Sequence, residues 1–218
     1  MLTIHNLKKS FINSANEKSD VINIREFHLK EAEQLAVTGE SGAGKSTFLN
    51  LISGIVSADS GEIIFDGTDI TKLSESKRDL FRAKNIGYIF QSFNLLQGFS
   101  SLENLMLGMM FAGKTDKKKC EDALSKVGLS DKLKSKPAEL SVGEQQRVAV
   151  ARAIVNSPKL ILADEPTANL DKKNSDSVIG LIKNLCTENK IALIIVSHDK
   201  DVIANFLNKK DFDAINSL

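Results

Sequence analysis

The chain has 218 residues, of which 42% are hydrophobic and 26% charged, with 13 Gly and only 3 Pro. This composition is typical of a globular domain and excludes a disordered or collagen-like chain. The 29 basic and 28 acidic residues leave a net charge of +1, so no global basic field points to nucleic acid or to an anionic membrane. The two cysteines, Cys120 and Cys186, lack metal-ligand spacing, which favours a reducing compartment.

No segment has the apolar length that a membrane span needs. The longest uninterrupted apolar run is Ile191–Val196, and a spanning helix needs about 20 such residues. The N-terminus also lacks the apolar stretch of a signal peptide. We therefore expect a soluble chain.

The first part of the chain predicts alternating strands and helices. Apolar and polar residues alternate loosely over the first thirty positions, around a polar stretch at Asn13–Asp20, and predict two or three short strands around a loop. The elements predicted next are a strand at Gln34–Thr38, a helix at Lys45–Ser53, a strand at Gly61–Asp66, a helix at Ser74–Lys84 and a strand at Ile86–Phe90.

The middle third predicts only helices. One helix carries an apolar stripe at helical spacing: Leu102, Leu105, Met106, Met109 and Met110. The basic run Lys114–Lys119 is interpreted as the solvated start of a second helix that ends near Val127. A third helix is predicted at Val142–Asn156. We interpret residues 92–157 as a helical insertion.

The last third returns to alternation, with a strand at Leu160–Ala163, a helix at Ser175–Leu185 and a strand at Ile191–Val196. Apolar strands separated by helices are typical of a parallel sheet covered on both faces. The sequence thus predicts one α/β domain over residues 1–218, in which residues 1–91 and 158–218 form the core around the insertion.

A glycine-rich loop follows the Gln34–Thr38 strand and has the pattern G-x-x-x-x-G-K-[ST]. Glycines let backbone N–H groups surround a phosphate, the helix N-terminus adds positive potential, and the lysine reaches the β- and γ-phosphates. The serine hydroxyl that follows is a ligand for Mg²⁺. The predicted nucleotide contacts are Gly39, Glu40, Ser41, Gly42, Ala43, Gly44, Lys45, Ser46 and Thr47.

Two carboxylates end the predicted strand that begins at Leu160. Asp164 is placed to hold Mg²⁺ through water, and Glu165 to accept a proton from the attacking water. Taken alone, this pattern equally fits an exposed acidic strand end. The phosphate loop upstream favours a catalytic site.

Ser141–Gln145, preceded by Leu140 and followed by Gln146-Arg147-Val148, resembles the signature segment of ABC transporter ATPases. With the phosphate loop upstream and Asp164-Glu165 downstream, order and spacing match that family along nearly the whole chain. The resemblance implies a P-loop NTPase fold with a mostly parallel RecA-like core sheet, an N-terminal antiparallel β subdomain and an inserted α-helical subdomain.

The resemblance also implies roles for single residues. Gln91 is the Q-loop glutamine, which contacts Mg²⁺ and the transport domain, and Asp171 belongs to the D-loop. His198 contacts the γ-phosphate, so that Lys45, Glu165 and His198 form the catalytic set. The nucleotide of the opposite subunit is contacted by Ser141, Gly143 and Glu144. Phe11 stands where an aromatic stacks on adenine, and a core phenylalanine is its alternative.

The chain departs from the family pattern at two places. Val142 replaces the first signature glycine, and a β-branched residue disfavours φ > 0, so we expect a weakened contact with the nucleotide. The chain also stops twenty residues after His198. The strand and Asp-Gly turn that usually follow that histidine are reduced to Phe212–Leu218, which predicts an incomplete sheet edge.

Within the family, the chain is most similar to small stand-alone ATPases of lipoprotein-release, macrolide-efflux and cell-division systems. The stretches that carry this likeness are Ile89–Leu96, Leu102–Leu105, Gln145–Val148 and Ala163–Asp171. It implies a homodimeric ATP- and Mg²⁺-dependent subunit, without nucleic acid, that powers a separately encoded permease from the cytoplasmic face of the membrane.

Two alternatives remain for the function. One is a soluble ABC ATPase acting on DNA or ribosomes, against which stand the single phosphate loop, the compact block between Gln91 and Ser141 and the lack of paired zinc-ligand cysteines. The other is a non-hydrolysing scaffold, which Glu165 and His198 oppose.

The stripe from Leu102 to Met110 has two interpretations. It packs the core of the helical insertion, or part of it, with Phe93, Leu95 and Leu96, lines a groove for a helix of the permease.

Overall fold

The structure, a computed structural model, describes residues 1–12 and 16–218. Its strands are β1 (Leu2–Ile12), β2 (Lys18–Leu29), β3 (Gln34–Thr38), β4 (Ser60–Phe65), β5 (Thr68–Asp69), β6 (Ile86–Ile89), β7 (Leu160–Asp164), β8 (Ala192–Val196) and β9 (Asn208–Asp211). Its α-helices are α1 (Lys45–Ile52), α2 (Glu75–Asn85), α3 (Ser101–Phe111), α4 (Lys117–Lys126), α5 (Val142–Ile154), α6 (Lys172–Glu188) and α7 (Lys200–Ala204).

Four strands form an antiparallel sheet in the order β2-β1-β4-β5. In this sheet Ile4 of β1 lies between Phe27 of β2 and Ile63 of β4, and all three side chains are buried. Because successive side chains of a strand point to opposite faces, this row places one face of the sheet on the core.

The other sheet has five strands in the order β6-β7-β8-β3-β9, and every neighbouring pair is parallel. Its central strands are apolar on both faces: in β3, Leu35 and Val37 join one core, whereas Ala36 joins the other. The first core also contains α1 and the antiparallel sheet, and the second contains apolar residues of α3 to α6. The sheet is therefore buried from both sides, as the continuous apolar runs predict.

Helix α5 lies unusually close to the edge strand β6. A Cβ built on Gly87 would lie 2.2 Å from the carbonyl oxygen of Ala153. A real Cβ has no room at that distance, so Gly87 permits the helix that carries the signature segment to pack directly on the sheet.

The architecture confirms the predicted α/β fold, with a parallel core sheet, an N-terminal antiparallel sheet and helices α3 to α5 between β6 and β7. The apolar stripe of α3 is mainly core packing, since Leu105 and Met109 are buried and Met110 is exposed. The division of the chain at residues 91/92 and 157/158 stays a prediction.

The N-terminal strands differ from their prediction. Instead of two or three short strands, β1 and β2 are 11 and 12 residues long. The predicted loop at Asn13–Asp20 is shorter, because β2 already begins at Lys18; residues 13–15 of that loop lie outside the described residues. Pairing along nearly the whole length of β1 extends both strands beyond their apolar residues.

The expectation of an incomplete sheet edge near the C-terminus was wrong. The edge strand β9 precedes Phe212 and pairs in parallel with β3, and residues 212–214 form a 3₁₀ turn. Every residue of β9 is exposed and polar or charged, so no apolar pattern announces the strand. After it, Phe212 is buried 5.7 Å from the ring of Phe48, and Asn216 bonds the backbone of Val21 and Asn23.

Candidate functional site

The glycine-rich loop joins β3 to α1 and has the open backbone of an anion site. Gly39, Gly42 and Gly44 have φ of 148°, 83° and 101°. Gly44 is the N-cap of α1 and supplies no side chain to bond the first N–H groups of the helix. A Cβ on Gly44 would lie 2.9 Å from the carbonyl oxygen of Val21, so glycine is required there. The free N–H groups of α1 face a cradle that suits a phosphate.

Lys45, the first residue of α1, folds back over this loop. Its side chain is buried, and Nζ donates to the carbonyl oxygens of Gly39 at 2.9 Å and Glu40 at 2.5 Å. Both acceptors are neutral, and the charge of Lys45 also interacts with the Asp164 carboxyl. An anion in the cradle would gain a direct charged partner in this ammonium group.

Asp164 ends β7 beside the start of α1. Burial raises the pKa of the Asp164 carboxyl, and the charge of Glu165 acts in the same direction. A hydrogen bond from the Ser46 hydroxyl and the charge of Lys45 partly oppose this shift. A carboxylate with little water around it is relieved by a cation. Ser46 and Asp164 thus present two oxygen donors of the kind that Mg²⁺ prefers.

Glu165 and His198 lie in direct contact. Oε1 of Glu165 accepts from the backbone N–H of His198 at 3.1 Å and lies 2.7 Å from its Nδ1, and Oε2 accepts from the Ser197 hydroxyl at 3.2 Å. An ionised carboxylate only accepts, so this contact is a hydrogen bond in the tautomer that carries its proton on Nδ1.

These groups line one cleft of about 310 Å³ between the loop and the carboxyl ends of β7 and β8. Its lining is Val21, Ser41, Gly42, Gly44, Lys45, Ser46, Thr47, Gln91, Asp164, Glu165, Val196 and His198. The chain segments that carry the phosphate loop, Gln91, the two carboxylates and the histidine are distant in sequence. The parallel sheet brings them together, since strand ends of one direction share an edge.

The signature residues lie outside this cleft. Ser141 is the N-cap of α5 and forms a capping box with Glu144: their bonds are Ser141 N–H to Oε2 at 2.8 Å, Ser141 Oγ–H to Oε2 at 2.9 Å and Glu144 N–H to Ser141 Oγ at 3.3 Å. These bonds, with Lys132 nearby, lower the pKa of the Glu144 carboxyl. Gly143 lies against α6, where a Cβ would be 3.1 Å from Oδ1 of Asn174.

Val142 is accommodated without backbone strain. It is the first residue of α5, a position with helical dihedrals, and it is absent from the residues with positive φ. Its side chain is 47% exposed. The predicted conflict with φ > 0 therefore does not arise in this chain, and the valine presents an apolar surface beside Ser141.

The other predicted residues also lie apart from the cleft lining. Gly39, Glu40 and Ala43 belong to the loop backbone behind it. Asp171 is the N-cap of α6 and accepts from the N–H of Asn174 at 2.9 Å. Phe11 lies in β1 and is 43% exposed, with Nζ of Lys9 at 5.3 Å from the ring centroid. The alternative of a core phenylalanine is wrong, because the side chain is exposed.

The family model described as ABC transporter matches residues 22–168, about two thirds of the chain. The chain belongs to the ABC transporter family. This ABC ATPase is 43% identical over 205 residues to the lipoprotein-releasing system ATP-binding protein LolD of Treponema denticola, with 93% of this chain and 90% of that protein covered. It is 40% identical over 205 residues to LolD of Syntrophus aciditrophicus, with coverages of 93% and 92%.

Solved structures agree with the fold of this ABC ATPase. The ATP-binding cassette MJ0796, in a dimeric post-hydrolysis state bound to ADP and Pi, has a TM-score of 0.88 at 32% identity, covering 97% of this chain and 94% of that chain. A second dimeric structure of MJ0796, described as a bacterial ABC transporter cassette, gives the same values. Within residues 1–12 and 16–218, this ABC ATPase has no helix with the length and hydrophobicity of a membrane span.

Two cleft residues of this ABC ATPase were missed by sequence reasoning. Val196 ends β8 next to Asp164 of β7, and the position of a residue at the carboxyl end of a central strand is a signal that could have found it. Val21 belongs to the antiparallel sheet, and its place beside Gly44 depends on how the two sheets pack. No local pattern announces that contact.

Asp164→Asn is expected to stabilise the nucleotide-free ABC ATPase at neutral pH. Because the folded-state pKa is raised, the contribution of Asp164 to stability is full below the ordinary carboxyl pKa of about 3.9 and is lost as pH rises through the raised value. The amide of asparagine does not ionise and so avoids the cost of burying a charged carboxylate. The expected gain in the free energy of unfolding is about 0.5–2 kcal/mol. Chemical unfolding at pH 7.5 and pH 4 measures it, and the gain should shrink at the lower pH.

Asp59→Asn is the matched control. Hydrogen bonds from Lys9 and Ser10 lower the pKa of the Asp59 carboxyl, so this substitution should destabilise the chain at pH 7.5. If both variants shift the free energy of unfolding in the same direction, the unfavourable burial assigned to the ionised Asp164 carboxyl is wrong.

Proposed function

We propose that the chain is the ATP-hydrolysing subunit that powers a separately encoded membrane permease, and that the system releases lipoproteins. The observation that carries the proposal is the single cleft that combines the phosphate loop, Lys45, Asp164 and the Glu165–His198 pair. The names of the relatives supply the substrate class.

ATP binding rests on the loop and on Lys45. The N–H groups at the start of α1 and the positively charged Nζ of Lys45 bind the β- and γ-phosphates. Phe11, exposed near the end of β1, stacks on adenine. Ser46, Asp164 and Gln91 have oxygen donors on the same cleft and would hold Mg²⁺, which, when bound, neutralises phosphate charge during phosphoryl transfer.

Hydrolysis rests on Glu165 and His198. The carboxylate of Glu165 accepts the proton of the attacking water, and its bonds to Ser197 and His198 fix its orientation. His198 keeps Nδ1 on that carboxylate and presents Nε2 to the γ-phosphate. The two residues thus act as one positioned unit.

A head-to-tail homodimer completes the site. In the single chain, Ser141 and Gly143 lie outside the phosphate cleft, so they contact the nucleotide of a second copy. The solved structures of the similar cassette MJ0796 are dimeric, which supports this arrangement. Separation of the copies after hydrolysis drives the permease.

The permease docks on an apolar groove of about 550 Å³ between α2, β6 and α3, at the cytoplasmic face of the membrane. Three of its large apolar side chains are exposed: Ile55 at 47%, Leu80 at 43% and Phe111 at 74%. Phe93, Leu95 and Leu96, which were predicted to line a groove for the permease, do not line this one, and their contact with a permease stays a prediction. An amphipathic helix fits such a surface.

Phe111→Glu should uncouple the ATPase from its permease. A charge in a buried apolar contact prevents docking, whereas Phe111 does not line the catalytic cleft. We expect stimulation of ATP hydrolysis by the lipoprotein-release permease of the same cell, in proteoliposomes, to fall by about tenfold or more. The hydrolysis rate of the isolated chain should not change.

Leu207→Glu is the control, because Leu207 is fully exposed and does not line the groove. This variant should keep its stimulation by the permease. Equal stimulation of both variants would refute the docking site, and failure of the unchanged chain to respond to that permease would refute the lipoprotein-release assignment.

A further inference from the structure

Glu165 has a backbone conformation that its sequence disfavours. Its φ is +44°, in the left-handed region. A residue with a Cβ is rarely found there, and a residue that precedes proline is restricted further towards extended conformations. Such strain persists only where surrounding contacts hold it.

The contacts around the turn at Glu165 come from two sides. At the end of β8, the carbonyl oxygen of Val196 accepts from the N–H of Glu165 at 3.0 Å, and Ser197 and His198, which follow the strand, bond the carboxylate. From the opposite side, the carbonyl of the next residue, Pro166, accepts from Nε2 of Gln146 at 2.6 Å. Gln146 therefore holds the chain directly after the strained residue.

Gln146 is a costly choice for a core position. Its side chain is fully buried in α5, and within residues 1–12 and 16–218 no group bonds its Oε1. A buried acceptor without a partner opposes folding, and an apolar side chain of the same shape avoids that cost. Packing alone does not explain why this position has an amide side chain. The hydrogen bond to the Pro166 carbonyl oxygen does explain it.

We propose that Gln146 is a positioning residue that keeps Glu165 oriented for catalysis through the Pro166 carbonyl. Because Gln146 lies on α5, whose N-cap is Ser141, it links the catalytic carboxylate to the helix that begins at the signature segment. The inference rests on the proposed role of Glu165 in hydrolysis.

Gln146→Met in the full chain tests this role, because methionine keeps the length and loses the donor. We expect kcat for ATP hydrolysis to fall roughly ten- to hundredfold, as small misplacements of a catalytic group do. The KM for ATP should stay within about twofold, since the phosphate loop is unchanged. Loss of the bond and loss of the unpaired oxygen offset each other, so Tm should move by no more than about 4 °C.

A double-mutant cycle separates positioning from a general structural effect. In a Glu165→Gln background, Gln146→Met should cause no further fall in kcat, because its target is already disabled. Gln34→Met is the matched control: it removes an amide that donates to the carbonyl oxygen of Lys183, far from the cleft, and kcat should not change. If Gln146→Met does not fold, Gln146→Asn, one methylene shorter, should show the same loss.

Wild-type kcat in Gln146→Met would overturn this inference and leave the role of Glu165 intact. The same holds if Gln146→Met lowers kcat as strongly in the Glu165→Gln background as in the unchanged chain. Full turnover by Glu165→Gln itself would instead overturn the proposed role of Glu165. A fall in kcat matched by a rise in the unfolded fraction would assign Gln146 to stability and likewise overturn the inference.

Discussion

Lys45→Ala is expected to abolish ATP hydrolysis and to weaken ATP binding severely. The buried ammonium, which donates to the carbonyls of Gly39 and Glu40, is a fixed positive charge at the place of the β- and γ-phosphates. Removing one partner of a buried charged contact costs about 2–5 kcal/mol, which corresponds to a fall in affinity of roughly thirtyfold to several thousandfold. Titration with a fluorescent ATP analogue and a phosphate-release assay measure both effects.

Lys159→Ala is the control for this substitution. Lys159 forms an exposed ion pair with Asp66, with 2.6 Å between Nζ and Oδ2, and exposed pairs contribute little. This variant should bind and hydrolyse ATP as the unchanged chain does. Unchanged affinity and intact hydrolysis in Lys45→Ala would remove the loop from nucleotide binding.

The elements predicted best are those whose local pattern and tertiary environment agree. Gln34–Thr38 was predicted with its observed bounds, because an apolar run in the middle of a parallel sheet is buried on both faces. Helix α6 extends beyond the predicted Ser175–Leu185 at both ends. Its N-terminal extension follows from the cap at Asp171, a signal that the apolar periodicity does not contain.

The residues of the cleft could be predicted from the sequence where they belong to a recognisable motif. The phosphate loop, Asp164, Glu165 and His198 follow strands whose direction the βαβ pattern determines, and the structure brings them to one edge. Their mutual geometry was not predictable. The left-handed turn at Glu165 and its support by Gln146 depend on the packing of α5 against β6 and on its contact with Pro166, which no local spacing encodes.

Val142 shows the opposite case, in which a sequence rule was applied to the wrong conformation. The rule that a β-branched residue disfavours φ > 0 is sound, but this position is the first turn of α5, where valine is allowed. Valine in place of the signature glycine changes the exposed surface beside Ser141. We therefore expect it to affect the contact between two copies of the chain.

Glu165→Gln is expected to bind ATP and to lose turnover. Glutamine keeps the size of the side chain and an acceptor for Nδ1 of His198, so the geometry of the pair is preserved. It does not take a proton from water, and loss of a general base typically lowers kcat by about 10²–10⁴-fold. Phosphate release and equilibrium binding of ATP measure the two properties separately.

Because hydrolysis separates the copies in the proposed cycle, the same variant should accumulate as a nucleotide-bound dimer. Sedimentation of Glu165→Gln with ATP and magnesium should show the dimer, and without ATP the monomer. Adding Ser141→Arg should abolish the dimer, since a large side chain occupies the contact between signature and phosphate. That change also removes the capping box of α5, an effect of about 1 kcal/mol on stability.

Ser100→Arg in the Glu165→Gln background separates the two effects. Ser100 caps α3 with Glu103 in a capping box like that of Ser141 and Glu144, so its replacement has a similar cost in helix stability and leaves the signature segment intact. The dimer should persist in this variant. A monomer in every variant and condition, with hydrolysis first order in protein, would overturn the shared site, and loss of the dimer with both arginines would attribute it to helix stability.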